Sequence, residues 1–155
     1  MDAASDKRED ASGSGHQNGG TGDMERLKVA TLNIWNKSGP WPARLELIQS
    51  ELRALSPDLI GLQEVLRLVG EGEEPSPDND QAREIADGLG YEIAFGRASD
   101  YGGGLAFGNA LLSRFPIVEQ AVEPLPHLDS GESRSLLYVR VDTPAGRLGR
   151  SSSSM

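Results

Sequence analysis

Ala30-Thr31-Leu32-Asn33-Ile34-Trp35 and Asp58-Leu59-Ile60-Gly61-Leu62-Gln63-Glu64-Val65 decide how this chain folds. Each is an apolar run with a side chain at its end that can hold a metal. The stretch between them reads as one helix. Gly39-Pro40-Trp41-Pro42 breaks the first strand and opens the helix, because proline is tolerated in a first turn. Leu45, Ile48, Leu52 and Leu55 follow at helical spacing, and Ser56-Pro57 stops the run because a residue before proline avoids the helical region. Strand, helix, strand makes a right-handed βαβ unit with parallel strands. Parallel strands point their carboxyl ends the same way, so Asn33 and Glu64 are expected at one edge of one sheet, where open α/β sheets place ligands. An amide oxygen beside a carboxylate is the start of a hard-cation site.

Outward from this unit, residues 1–25 are mostly small and polar and read as a disordered tail, with structure starting near Arg26. Residues 66–79, rich in Gly, Glu and Pro, read as an exposed acidic loop that includes the run Glu71–Glu74. Asn79 or Asp80 can cap a helix carrying Ala82, Ile85, Ala86 and Leu89, with Gly90 as its left-handed terminator. Tyr91–Phe95, Asn109–Arg114, Ile117–Val122 and Ser135–Asp142 read as further strands. Gly102-Gly103-Gly104 is a turn, and Phe115-Pro116 turns one strand into the next. Val29, Ile60, Leu62, Leu111 and Val139 are expected inward-facing residues that need cover. The closing Arg150-Ser-Ser-Ser-Ser-Met155 is low in complexity.

The chain has 155 residues, 37% of them hydrophobic and 25% charged, which suits one domain with a flexible tail. With no cysteine, disulfides, thiolate chemistry and cysteine-based zinc sites are excluded. His16 and His127 are the only histidines, which argues against a histidine-rich metal site. A formal net charge of −9 argues against broad, sequence-independent contact with nucleic acid, yet leaves room for a locally positive, metal-filled pocket. No apolar run is long enough to span a membrane and the first residues lack the core of a signal peptide, so cytoplasmic is the default location.

Four segments carry a resemblance: Leu32-Asn33-Ile34-Trp35; Leu62-Gln63-Glu64-Val65; Gly108-Asn109-Ala110-Leu111-Leu112-Ser113-Arg114-Phe115-Pro116-Ile117; and Glu132-Ser133-Arg134. In this order they resemble the endonuclease/exonuclease/phosphatase family of deoxyribonuclease-like phosphoesterases, over about residues 27–145. The resemblance implies a four-layer α/β sandwich, two packed central sheets flanked by helices, and hydrolysis of phosphoesters with Mg2+ or Mn2+. It implies that Asn33 and Glu64 hold the metal. Asn109 and Arg134 are the candidate contacts to substrate phosphate.

The second half of the family's pattern is expected to supply an Asn-Thr-His strand, a Gly-Asp-x-Asn motif and a terminal Ser-Asp-His, and none is present. His127 follows Pro126 in an expected loop and does not replace them. The chain therefore looks like the family fold truncated to roughly its first half. Residues 26–146 form the amino-terminal part of the domain, and 147–155 form a non-native or low-complexity tail. No complete catalytic set is expected. The expected function is a metal-dependent phosphoester hydrolase, incomplete and inactive as the chain stands; the alternative is a non-catalytic remnant or binding module on the same half fold. The expected partners are a phosphoester substrate (a small phosphoester, a lipid headgroup or nucleic acid) and the missing carboxy-terminal half.

Each residue also has a plainer reading. Asn33 can cap a turn, Glu64 can be a solvated strand-end carboxylate, and Arg134 can pair with a neighbouring carboxylate. Arg114 reads as a structural fork closing a turn, Trp35 and Trp41 as packing residues, and Tyr101 as a surface tyrosine or a substrate contact.

Overall fold

Two β-sheets lie face to face, and two helices cover the outer side of the first. The structure is a computed structural model and describes residues 26–68, 77–126, 131–144 and 146–153. The expected tail 1–25, the acidic run Glu71–Glu74 and His127 lie outside the described residues.

The opening βαβ unit forms as its sequence dictates. Strand β1 (Val29–Asn33) leads into helix α1 (Trp41–Leu55) and strand β2 (Leu59–Leu68). Pro42 sits in the first turn of α1, and Ser56 ends the helix in a left-handed conformation with its N–H bonded to Leu52 O at 2.8 Å. β1 and β2 are parallel, with Val29 opposite Leu59 and Asn33 opposite Gln63. Asp58 ties the start of the pair together: its carboxylate accepts from Lys28 N at 2.7 Å.

β2 does not end at Glu64. Gln63 and Glu64 form a bulge opposite the next strand, and pairing resumes at Val65 and runs to Leu68. The expected loop over 66–79 is therefore corrected at both ends: Leu66–Leu68 are strand and Pro77–Asn79 are a 3-10 turn. Asp80 then caps helix α2 (Gln81–Ala86), accepting from Ala82 N at 3.0 Å and Arg83 N at 3.3 Å. The helix stops at Ala86 and not at Leu89, because Asp87 is already extended and Gly88 takes φ +65°.

Strands β3 (Glu92–Asp100) and β4 (Leu105–Ser113) form a hairpin through Gly102–Gly104 and complete a sheet in the order β1-β2-β4-β3. Strands β5 (Ile117–Leu125), β6 (Arg134–Thr143) and β7 (Gly146–Ser153) form a second, antiparallel sheet in that order. β7 pairs with β6 from Gly146–Thr143 to Ser153–Leu136, so the segment expected as a tail from residue 147 is an edge strand.

Two cores follow from alternation along the strands. Ile34, Trp41, Leu52, Ile60, Leu62, Val65, Ile85 and Leu112 pack between the first sheet and its helices. Leu59, Ala94, Leu111, Leu137, Val139 and Val141 pack between the sheets. Ile60 and Leu62 thus lie opposite Leu111 and Val139 across the sheet, while Val29 is 43% exposed, so these five do not share one face as expected. Helices, first sheet and second sheet are three of the four layers that the sequence implies. Among the described residues no helix is long and apolar enough to cross a membrane.

Candidate active site

Asn33 closes β1 and Glu64 stands on the β2 bulge, and the two side chains meet. Asn33 Nδ2 donates to Glu64 Oε1 at 2.7 Å. The amide oxygen, expected to face the cation alongside the carboxylate, instead accepts from Trp35 N at 2.8 Å. Glu64 takes φ +57°, a left-handed conformation that a residue other than glycine adopts only at a cost. Its carbonyl accepts from Asn36 N at 3.0 Å, which binds the bulge to the turn after β1.

That turn is held from below. Arg44 of α1 lies between the rings of Trp35 and Trp41, 5.5 and 5.4 Å from their centroids, and donates to the carbonyl oxygens of Ile34 and Ser38. Trp41 is a buried packing residue as expected, whereas Trp35 is 58% exposed and serves as one slice of this stack.

A cleft of about 370 Å3 opens beside Glu64. Asn36, Leu66, Tyr101, Phe107 and Glu132–Arg134 also line it. Glu64 and Arg134, far apart in sequence, therefore share one cavity. Tyr101 is exposed and meets Phe107 edge to face at 6.3 Å, which gives the cleft an aromatic wall. Asn36, Leu66 and Phe107 were not singled out from the sequence. Only Asn36, in the turn directly after Asn33, carried a usable signal.

Asn109 is not brought to the cleft. It is fully buried on β4 opposite the Gln63–Glu64 bulge, and donates to Ser135 O at 3.2 Å while its Oδ1 has no partner. Arg114 is the structural fork expected: Nε donates to Pro57 O at 2.9 Å, Nη2 to Ser56 Oγ at 2.8 Å, and the guanidinium lies 5.0 Å from the Tyr91 ring centroid.

The donors fit a hard cation in kind and fall short in number. Glu64 offers a carboxylate and Asn33 an amide oxygen already engaged by a backbone N–H. Among the described residues no cluster of three or more acidic or histidine side chains could hold a metal ion. Magnesium keeps several waters and needs only one or two carboxylates from protein, so Glu64 is a suitable anchor.

Solved structures share this fold. An endonuclease/exonuclease/phosphatase family protein from Leptotrichia buccalis superposes with a TM-score of 0.65 at 13% identity, over 82% of this chain and 54% of its own. The human Nocturnin catalytic domain with bound sulfate anion gives 0.60 at 20% identity, over 83% and 49%. D. rerio TDP2 complexed with single-strand DNA product gives 0.58 at 19% identity, over 82% and 45%. No curated protein matches the chain. The fold is thus that of the endonuclease/exonuclease/phosphatase proteins, and the chain spans about half the length of the solved structures it matches. The model of the Endonuclease/Exonuclease/phosphatase family itself matches residues 30–149. The chain belongs to that family, whose members are generally metal-dependent phosphoesterases.

Proposed function

We propose that this chain carries the metal-anchoring and phosphate-contacting side of a phosphoester hydrolase that uses Mg2+ or Mn2+. The observation that carries the reading is the meeting of Asn33 and Glu64 at 2.7 Å on the lip of a cleft that Arg134 also lines. In this reading Glu64 would hold the cation through its carboxylate, and Asn33 aims that carboxylate through its Nδ2. Arg134 contacts the phosphate through its planar, doubly donating guanidinium. The bound cation supplies charge stabilisation at the phosphate oxygens. Tyr101 and Phe107 give the organic part of the substrate an apolar wall. The bound sulfate anion of the Nocturnin domain and the single-strand DNA product of D. rerio TDP2 are in keeping with this reading. The net charge of −9 favours a small phosphoester or lipid headgroup over duplex DNA here.

The chain alone does not turn substrate over in this reading. Attack on phosphorus needs an oriented water and clamped oxygens, and the sequence lacks the His- and Asp-bearing motifs that would supply them. The test combines binding and turnover on the 155-residue chain. Mn2+ should broaden the NMR signals of residues 33–36 and 64, and Glu64→Gln should abolish that broadening. An activated aryl phosphodiester should be hydrolysed no faster than by Mn2+ in buffer. Absence of broadening refutes the metal role of Glu64, and turnover that disappears in Glu64→Ala refutes the inactivity of the isolated chain.

A further inference from the structure

The apolar core between the two sheets ends in a polar pair on the side of the cleft. Along β6 the inward row Val141, Val139 and Leu137 finishes at Ser135, and on β4 Asn109 shares its face with Leu111. Both polar residues are buried, and Phe107 on β4 and Arg134 on β6 line the cleft beyond them. Asn109 Nδ2 crosses from one sheet to the other and donates to Ser135 O at 3.2 Å. Among the described residues Asn109 Oδ1 and Ser135 Oγ find no partner. A buried polar atom left unsatisfied costs free energy that an apolar side chain of the same shape does not. Stability alone therefore does not account for an asparagine at this place. A second bond lies on the other side of Arg134, where Ser99 Oγ of β3 donates to Ser133 O at 3.2 Å. The carbonyl groups before and after Arg134 are thus each held by a side chain of the first sheet. Asn109 also stands opposite the Gln63–Glu64 bulge, so one of these ties starts beside the strand that carries Glu64.

We infer that Asn109 and Ser99 are positioning residues, which together set where Arg134 stands relative to Glu64. The inference rests on the reading of Glu64 as the cation's anchor and Arg134 as the phosphate contact. Neither Asn109 nor Ser99 lines the cleft, so both act through the backbone of Glu132–Arg134. Apolar contact between the sheets is non-directional. A hydrogen bond to a carbonyl oxygen is directional and has a narrow range of length, so it fixes the offset of one sheet on the other. Arg134 opens β6 and has the two ties on either side of it, whereas Val139 in the middle of the strand is held by ladder bonds to β5 and β7. The first turn of β6 is therefore where loss of a tie is felt. A misplacement of about 1 Å between groups that act on one substrate can cost on the order of 10²-fold in rate, and groups behind a site commonly hold those in front of it in this way.

The test is NMR relaxation on the 155-residue chain, first without metal. Asn109→Leu removes the buried donor at similar volume, and Ser99→Ala removes the exposed one. In each variant the order parameter of the Arg134 N–H should fall from the rigid range near 0.85 towards the flexible range below about 0.6, while that of Val139 on the same strand stays rigid. Ser99→Thr keeps the hydroxyl and should behave as the parent. The Ser99–Ser133 bond is exposed, so Ser99→Ala should unfold at the parent's urea midpoint and decides the matter if Asn109→Leu does not fold. Mn2+ gives the second reading, because an ion at Glu64 relaxes the Arg134 Nε–H signal steeply with distance. A displacement of about 1 Å, the scale that matters to a positioned reaction, should change that relaxation about twofold in Asn109→Leu, with the broadening of residues 33–36 as in the parent. A parent chain that shows no Mn2+ broadening refutes the metal role of Glu64, and the metal-free order parameters then still decide whether these two side chains hold Arg134. An Arg134 order parameter unchanged in either Asn109→Leu or Ser99→Ala overturns the inference. So does a lowered urea midpoint with Arg134 still rigid, which is the mark of a merely structural role, or a Ser99→Thr chain that behaves as Ser99→Ala.

Discussion

Glu64 accepts a hydrogen bond from Asn33 across 31 residues of sequence while its own backbone sits at φ +57°. The two facts have one cause. The Gln63–Glu64 bulge places two residues opposite Asn109 where a regular strand would place one, and the extra residue is swung out of the ladder towards the end of β1. Strain held at such a position is characteristic of functional sites.

That strain is measurable. A left-handed residue other than glycine costs on the order of 1–3 kcal/mol, whereas glycine inside a strand costs about 0.5–1 kcal/mol. Glu64→Gly should therefore unfold within about 1 kcal/mol of the parent, or above it, despite losing its side chain. Gln63→Gly, next in the same bulge but with no left-handed strain to relieve, should lose about 1 kcal/mol or more, because it also gives up the bond from Gln63 Nε2 to Thr31 Oγ1 at 3.1 Å. Urea midpoints of the two variants check this, and equal losses would show that the Glu64 conformation carries no strain.

Arg44 should behave as a clamp that lysine does not replace. Its guanidinium reaches the carbonyl oxygens of Ile34 and Ser38 while stacked between Trp35 and Trp41. A lysine offers a point charge and cannot span two acceptors in that plane. Arg44→Lys should cost about 1–3 kcal/mol. It should also spread the NMR signals of Asn33 and Asn36, which the clamped turn carries. A melt and amide spectrum unchanged from the parent would remove Arg44 from any positioning role.

Asp80 does two jobs that separate by mutation. It caps α2 and, with its side chain only 2% exposed, pairs with Arg67 at 3.3 Å and Arg83 at 3.7 Å. Asp80→Asn keeps the cap acceptor and removes the charge; Asp80→Ala removes both. Breaking a buried pair costs roughly 3–5 kcal/mol, and losing a cap about 1 kcal/mol. Asp80→Ala should therefore be the less stable of the two by about 1 kcal/mol, as thermal melts would report.

The parts of the fold that were legible in the sequence had local causes. Pro42, Ser56-Pro57 and the spacing from Leu45 to Leu55 delimit α1 without help from the rest of the chain, and the parallel pairing that brings Asn33 to Glu64 follows from the βαβ rule. Asp80 and Arg114 were also readable, one as a cap and one as a fork. What was not legible was set by tertiary pairing. β7, with its Gly and Ser residues, has weak strand propensity and is a strand because β6 offers it an edge. The continuation of β2 to Leu68 was hidden by the bulge, which breaks the period-two pattern at Glu64. Asn109 was misplaced because both faces of β4 are buried over Gly108–Ser113, so no alternation told which way its side chain pointed.

The closest approach of β3 and β4 gives the sharpest structural prediction. Gly108 lies opposite Arg97, just after the Gly96–Asn109 pair. A Cβ added at Gly108 would stand 2.0 Å from the carbonyl oxygen of Gly96 and 3.1 Å from Arg97 Cα, all of it backbone that cannot rotate away. Gly96 is itself confined, since its Cβ would meet Leu137 Cβ of the second sheet at 3.0 Å. The strand pair therefore cannot relieve the clash by moving towards β6. Gly108→Ala should destabilise the chain by about 1–3 kcal/mol, the usual cost of overpacking, although alanine is the smallest possible addition. Gly103→Ala is the control: unlike Gly108 it has a positive φ, at +60°, but nothing lies within 4 Å of the added Cβ, so it should cost only the backbone term of about 1–2 kcal/mol. Denaturant unfolding of the two variants decides the matter, and a Gly108→Ala midpoint at or above that of Gly103→Ala would mean that β3 and β4 are not so closely apposed at this point.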